Sequence, residues 1–355
     1  MTGTEQELRT PSIALFALLI VFGAGAGLLC VETGVRVYDR IHRGTPLLLN
    51  RPRGALRDDA RLGWAPRELY RNAHGQLTHS GSQYVVHFSQ NSSGMRVCDG
   101  PATGRTMLVV GDSFTEAWEA GENRQYYCIA AQAIGARAEG FGAGGYGSLQ
   151  ERMVLDTLLS KEQPDLVIVQ VCFNDFINND FDLEKASWQN NHSMTRPFWR
   201  SGRIELLLPG HFPLWFEEAR LHSRLASTLY DGMLNRSAAT AHSVEEDIEK
   251  TGAAHPGFEA AASETGEVFG QIRQLLKGHE LAAFATDLKE PYLSGFRRIF
   301  VNLDIPFIED GAAAVAGASA QGVDVFANDG VHWNETGHRI AGEALAQAIQ
   351  TRFPR

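Results

Sequence analysis

Basic clusters, closely spaced cysteines and repeats are what this chain has little of, and each shortage excludes a class of function. It carries 42 acidic against 32 basic residues, a formal net charge of -10, and no run of Lys or Arg long enough to build a basic face. Binding to nucleic acid requires such a face, because affinity comes from neutralising phosphates, so a nucleic-acid partner is not expected. The four cysteines, at positions 30, 98, 128 and 172, show neither C-x-x-C spacing nor a neighbouring histidine pattern, and no structural zinc site is expected. For Cys98 and Cys128 two readings stand side by side, a disulfide in an oxidising compartment or two buried thiols. Apart from the Ala-rich stretch 312–320 there is no low-complexity tract, and there is no internal repeat.

What is present begins with one long apolar run. Ile13 to Val31, about 19 residues, has no charge and approaches the length of a membrane-spanning helix. It reads as an uncleaved anchor or as a signal peptide cut after Ala26, where Ala24-Gly25-Ala26 supplies the small residues of a cleavage site. The anchor is favoured. Arg9 precedes the run and Arg36, Arg40 and Arg43 follow it, a charge bias that by itself puts the rest of the chain in the cytoplasm.

Three further regions follow. Residues 33–104 are rich in Arg, Gly and Pro without periodicity and read as a stalk or lead-in, with one short strand at Tyr84–Phe88. From 105 to 355, buried strands at Met107–Val110, Leu166–Val171, Leu281–Ala285 and Ile305–Ile308, and a poorer one at Ala136–Phe141, alternate with helical stretches near 123–134, 148–160, 265–278 and 335–350. Such alternation predicts a parallel sheet covered by helices on both faces. Residues 176–262 interrupt the rhythm and read as an insertion of loops and short helices with no clear strand; within it Arg196-Pro197 reads as a surface loop.

A parallel sheet places its ligand site at the carboxyl ends of its strands, and three polar clusters fall there. Ser113 follows Met107–Val110, Asn174-Asp175 follows Leu166–Val171, and NDGVHWNETGH (328–338) precedes the last helix. Together they supply what acyl transfer needs: a serine nucleophile, a histidine base, and a carboxylate that orients the base. Asp329 and His332 are three residues apart and fit one turn. The developing oxyanion needs donors, for which the backbone N–H of Ser113, an N–H in GAGGYGS and the Asn174 amide are candidates. His338 reads as structural and Asn334 as a helix cap. Trp118, Tyr126 and Tyr127 read as core residues more readily than as a pocket lining.

The motifs resemble those of the SGNH hydrolases, the GDSL-type esterases and lipases. Gly111-Asp112-Ser113 matches their first block, and GFGAGGYGSLQ, with Gly145, their glycine-rich second. Cys172-Phe173-Asn174-Asp175 matches the third, and Asp329-Gly330-Val331-His332 the last. All four occur in order across about 220 residues, and Cys172 departs from the family's third-block glycine. Upstream, DDARLGWAP and NSSGMR resemble the lead-in of anchored bacterial members. The serine sits in GDSFT, not in a G-x-S-x-G elbow, which argues against an α/β-hydrolase. The resemblance implies a flavodoxin-like three-layer α/β/α fold behind an N-terminal hydrophobic helix. It further implies a Ser113–His332–Asp329 triad, an oxyanion hole from Ser113, Gly145 and Asn174, and no metal or cofactor. Ester hydrolysis through an acyl-enzyme is the implied reaction, with transfer to a sugar open. The expected substrate is an acetyl or short-acyl ester of a cell-surface glycan, or else a lipid ester, with the domain outside the cytoplasmic membrane.

Two rivals are weaker. Gly142, Gly144 and Gly147 formally match G-x-G-x-x-G, but the strand before them is poor and Asp165 precedes its strand, so a dinucleotide site is disfavoured. A non-catalytic module that binds an acylated glycan would show a missing triad residue, and none is missing.

Overall fold

The computed structural model describes residues 13–43, 47–48, 56–66, 74–77, 86–91, 93–101, 104–188, 194–238 and 243–354. The chain opens with helix α1 (Ile13–Arg43), followed by hairpins β1 (Leu56–Asp59) with β2 (Gly63–Pro66) and β3 (His74–Leu77) with β4 (Val86–Ser89). Next come β5 (Arg96–Val97), β6 (Thr106–Gly111), α2 (Ser113–Glu116), α3 (Tyr126–Ala133), β7 (Arg137–Gly142), α4 (Ser148–Leu158) and β8 (Leu166–Val171). The middle holds α5 (Asn174–Asn179), α6 (Phe181–Ala186), β9 (Arg196–Arg200), β10 (Arg203–Leu207), α7 (Leu214–His222) and α8 (Arg224–Ala238). The last part holds α9 (Val244–Thr251), α10 (Phe258–Leu275), β11 (Glu280–Ala285), α11 (Tyr292–Leu303), β12 (Phe307–Ile308), α12 (Asp310–Ala320) and α13 (Glu335–Arg352).

Two compact units divide these elements. The larger, 55–211 with 240–355, is built on a six-stranded sheet of order β12-β11-β8-β6-β7-β5, parallel throughout except for the edge strand β5. Counting only the parallel strands in chain order, this is 2-1-3-4-5, the flavodoxin-like order. Strand alternation sorts the apolar residues between two layers. Leu108, Val110, Val167, Val169 and Ala283 pack with α4, α10 and α11, whereas Met107, Val109, Ile168, Ala282 and Phe284 pack with α3, α12 and α13. Each fully buried Val or Leu side chain contributes about 1.5–3 kcal/mol, so the double-sided strands of this sheet are its most stabilising segments. The three-layer α/β/α fold expected from the sequence is therefore present, with all five expected sheet strands in it.

The topological switch lies between β6 and β8, the two strands whose connections leave in opposite directions. Ser113 follows the first and Asn174 the second, so both expected site residues flank the crevice where a fold of this order binds its ligand.

The sequence reading needs correction in the two irregular regions. Of the expected strand Tyr84–Phe88, Tyr84 and Val85 lie outside the described residues; Val86–Ser89 is a strand. The lead-in 33–104 is not one stalk: from Ala55 on it belongs to the sheet-bearing unit. The insertion 176–262 does contain strands, the antiparallel hairpin β9–β10, turned at Ser201 and Gly202, both with positive φ. Pro197, which argues against a sheet strand, is tolerated because this ribbon has only two strands. Cys98 and Cys128 form a disulfide with Cα atoms 5.2 Å apart.

The smaller unit joins residues 1–54 to 212–239. Helix α1 runs unbroken through Ala24-Gly25-Ala26, and its most apolar 18 residues have a mean hydropathy of 2.6. The polar end of α1 is built into the α7–α8 hairpin. Glu32 accepts hydrogen bonds from the backbone N–H groups of Arg224 (2.9 Å) and Leu225 (2.8 Å) and from Ser223 Oγ (2.8 Å), which caps the start of α8. Buried Arg224 reaches Asp39 at 2.7 Å.

Candidate active site

Three loops at the carboxyl ends of β6, β7 and β8, together with the loop before α13, assemble the site. The β6 loop is the tightest. Asp112 caps the four-residue helix α2, its carboxylate accepting the Phe114 N–H at 3.0 Å, and this leaves Ser113 as the first helical residue. The backbone N–H of Asp112 donates to Gln170 Oε1 on β8 at 3.0 Å, tying the serine turn to the neighbouring strand.

The loop before α13 is held by its own residues. Gly330, with φ 71°, closes a turn in which its N–H reaches Ala327 O at 2.9 Å. One oxygen of Asp329 accepts the backbone N–H groups of Val331 (2.9 Å) and His332 (3.0 Å). The other accepts His332 Nδ1 at 2.6 Å, and His332 Nε2 lies 2.8 Å from Ser113 Oγ. With a carboxylate on Nδ1 the ring proton resides there, which leaves Nε2 as acceptor for the serine hydroxyl. Asn334 caps α13 through the N–H groups of Thr336 (2.9 Å) and Gly337 (3.0 Å). Phe114 packs on both the His332 ring and the Trp333 ring, with centroids 5.2 and 5.1 Å apart.

Electrostatics shift the two members of the His332–Asp329 pair in opposite senses. Burial works to lower the His332 pKa, but the carboxylates of Glu119, Asp329 and Asp112 outweigh it and raise the value above 6.5. Asp329 is shifted in the opposite sense. Burial alone would raise it, and the hydrogen bonds from the His332 ring and from the N–H groups of Val331 and His332 bring it below the usual range. Glu119, Asp329 and His332 place one ligand-type atom each within 4.8 Å of one another. Two of these three groups are already spent in the serine–histidine–aspartate chain, so the cluster reads as a charge environment for the histidine.

The glycine-rich loop after β7 lies against the serine: a Cβ added at Gly144 would come within 4.0 Å of Ser113 Cβ. Gly145 has φ 75°, a conformation glycine adopts without strain. Beneath it, buried Glu116 accepts the Gly144 N–H at 2.8 Å; burial pushes this carboxyl up to about 7. The loop after β8 begins at Cys172, the position where the resemblance leads one to expect glycine. Its buried thiol touches Asn174 Oδ1 and lies 3.2 Å from Asp112 Oδ2, linking the Asn174 side chain to the serine turn. Burial, together with the carboxylates of Asp112, Asp287 and Asp175, raises the thiol pKa, which keeps it protonated. Asp175 holds the same loop through Cys172 N–H (2.9 Å) and Ser148 Oγ (2.6 Å).

The structure thus brings Ser113, His332 and Asp329 into one hydrogen-bonded chain and sets Gly145 and Asn174 on the loops that border it. Such an arrangement can remove a proton from a serine hydroxyl as it attacks a carbonyl and hold the imidazolium that results. His338 is fully buried, accepts the Tyr126 N–H at 3.3 Å and is pushed down to about 3 by burial, as a structural histidine should be. Tyr126 and Tyr127 are core residues. Arg196 is not on a surface loop: it is fully buried on β9. Sequence reasoning missed Trp64, Glu116, Glu119 and Arg196 as neighbours of the site. An acidic residue shortly after the serine was the only local sign of Glu116 and Glu119, and Trp64 and Arg196 are distant in sequence.

No family model matches the chain, and no curated protein does. Among solved structures, it is similar to a member of the lipolytic protein G-D-S-L family from Veillonella parvula (11% identity, 71% of this chain and 100% of that one, TM-score 0.39). A carbohydrate acetylesterase family member from Sinorhizobium meliloti (13% identity, 70% and 98%, TM-score 0.39) is another. A third is a psychrotrophic esterase from Pseudoalteromonas sp. (12% identity, 71% and 100%, TM-score 0.41). Similarity at this level carries no functional weight, and the site has to speak for itself.

Proposed function

We propose that this chain is a serine ester hydrolase that works through an acyl-enzyme on Ser113. The observation that carries the reading is the continuous chain from Asp329 Oδ2 to His332 Nδ1 (2.6 Å) and from His332 Nε2 to Ser113 Oγ (2.8 Å). As Ser113 Oγ attacks the ester carbonyl, its proton passes to His332 Nε2. Asp329 and the nearby Glu119 offset the imidazolium charge. The carbonyl oxygen, now negative, is received by the N–H groups of Ser113 and Gly145 and by the Asn174 amide. His332 then protonates the departing alkoxide. Water enters by the same route in reverse and frees the acid; a sugar hydroxyl in place of water would make the reaction a transfer.

The substrate proposed is an acetyl or short-acyl ester on a cell-surface or exported glycan, with the catalytic unit outside the cytoplasmic membrane. Its support is the apolar helix α1 together with the likeness of the motifs to anchored bacterial members of the SGNH family. Retention of α1 as an anchor is supported by its unbroken course through the small-residue segment and by the use of Glu32 and Asp39 in packing α8. The same helix also favours a second reading, a lipid ester drawn from the membrane. Turnover of the full-length protein in detergent on acetylated oligosaccharides and on short- and long-chain acyl lipids tests both. Selective release of acetate from the sugars is expected; selective cleavage of long-chain lipid esters would overturn the glycan reading. No Ser113-dependent cleavage of any ester would overturn the hydrolase reading itself.

A further inference from the structure

The loop that holds Gly145 is a β-turn, and its geometry is set from outside. The Tyr146 N–H reaches Ala143 O at 3.0 Å, closing a turn in which Gly144 and Gly145 are the central residues. Gly145 has positive φ and Gly144 does not, which makes this a type II turn. Types I and II differ by a flip of the central peptide, and here that peptide carries the Gly145 N–H. Since a trans peptide directs its C=O and the following N–H in opposite senses, whatever holds Gly144 O also aims the Gly145 N–H.

Three side chains from outside the loop each hold one of its successive peptides. Glu116 accepts the Gly144 N–H at 2.8 Å. Trp64 Nε1 donates to Gly144 O at 3.2 Å. Arg196 Nη2 donates to Gly145 O at 2.7 Å. Trp64 comes from the β1–β2 hairpin and Arg196 from β9, and both are fully buried. They also hold each other: the Arg196 guanidinium lies 4.8 Å from the Trp64 ring centroid, bonds Gln150 Oε1 at 3.0 Å and pairs with buried Glu184 at 3.2 Å. The Trp64 ring packs edge-on against Tyr146, whose hydroxyl donates to Trp64 O at 2.6 Å. Gly63 lets the two segments meet, because with φ 81° it sits where any Cβ would overlap the Thr195 carbonyl.

We propose that Trp64 and Arg196 are positioning residues for the oxyanion hole, locking the 143–146 turn in its type II form so that the Gly145 N–H faces the reacting carbonyl at Ser113. The proposal rests on the hydrolase reading above. It gives the lead-in hairpin and the β9–β10 hairpin a shared task neither could perform alone, and it explains a buried arginine whose shortest polar contact is to a glycine carbonyl. A guanidinium fits because it supplies donors in several directions at once to Gly145 O, Gln150 and Glu184.

The test is steady-state turnover of p-nitrophenyl acetate by the full-length protein in detergent, for wild type, Trp64→Phe and Arg196→Lys, with thermal melting of each. Trp64→Phe keeps an aromatic ring but removes the N–H together with the rest of the indole; Arg196→Lys keeps the charge and loses the fork. Each is expected to lower kcat roughly tenfold, less than outright removal of an oxyanion donor, with KM within about twofold. The acid limb of the pH profile should stay in place, because His332 is untouched. Arg196→Met is expected to lose more than Arg196→Lys. Variants that melt earlier yet turn over at wild-type kcat when folded would make both residues purely structural and overturn the proposal. Should Trp64→Phe fail to fold, Arg196→Lys decides alone. Absence of Ser113-dependent turnover in the wild type would instead remove the hydrolase reading on which the proposal stands.

Discussion

Two of the loops that border Ser113 are held in opposite ways. The loop before α13 fixes itself: Asp329 bonds two backbone N–H groups of its own turn and the ring of a histidine three residues on. The 143–146 turn leans on three side chains that lie far away along the chain, Trp64, Glu116 and Arg196. The proposed base and orienter thus form a local device, whereas the proposed oxyanion hole is a tertiary one. A single substitution should therefore be decisive in the first loop, whereas in the second its effect should be spread over several supports.

On the local side the losses should be concentrated. Ser113→Ala and His332→Ala are each expected to cut kcat by several orders of magnitude with the fold intact, as measured by ester turnover and melting. Near-normal turnover in either would break the comparison at its base. Asp329→Asn should come next, at about 10⁴-fold in kcat, because an amide cannot hold the histidine in the required tautomer. A loss of only a few fold would mean that the turn, and not the carboxylate charge, is what Asp329 supplies.

On the tertiary side the effects should be smaller. Asn174→Ala removes one proposed oxyanion donor and is expected to lower kcat about 10²–10³-fold with little change in KM. An effect confined to KM would make Asn174 a substrate-binding residue. The smallest effect sharpens the electrostatic account. His332 must be neutral to act as base and its pKa is raised, so kcat/KM should fall on the acid side at a pH above 6.5. The groups that set this limb are Glu119, Asp329 and Asp112, opposed by burial. Glu119→Gln removes one negative charge and should move the acid limb to lower pH with only a modest change in plateau rate. An unmoved limb would show that Glu119 does not act on the histidine.

How far the sequence could be read follows the same division. The sheet was legible because Met107–Val110, Leu166–Val171 and Leu281–Ala285 are apolar on both faces, as interior parallel strands must be. Asp329 and His332 were legible because three residues of spacing suffice to build their contact. The β9–β10 hairpin was not, since Pro197 and three arginines mask its alternation. Arg196 was misplaced because an arginine becomes a core residue only when partners such as Glu184, Gln150 and Gly145 O surround it, and local sequence does not register them. Trp64 stood within a segment noted for its resemblance, but its hydrogen bond spans 80 residues. The division of the insertion, with 212–239 joining the N-terminal helix, depends on Glu32 and Asp39 finding Ser223 and Arg224, again a long-range pairing.

The most direct test of the central claim is labelling of the full-length protein in detergent with a fluorophosphonate probe, beside Ser113→Ala. Stoichiometric labelling of the wild type at Ser113 is expected, lost in the variant and slowed at pH values that protonate His332. A well-folded wild type that takes no label, or takes it equally in Ser113→Ala, would contradict the claim that Ser113 is an activated nucleophile.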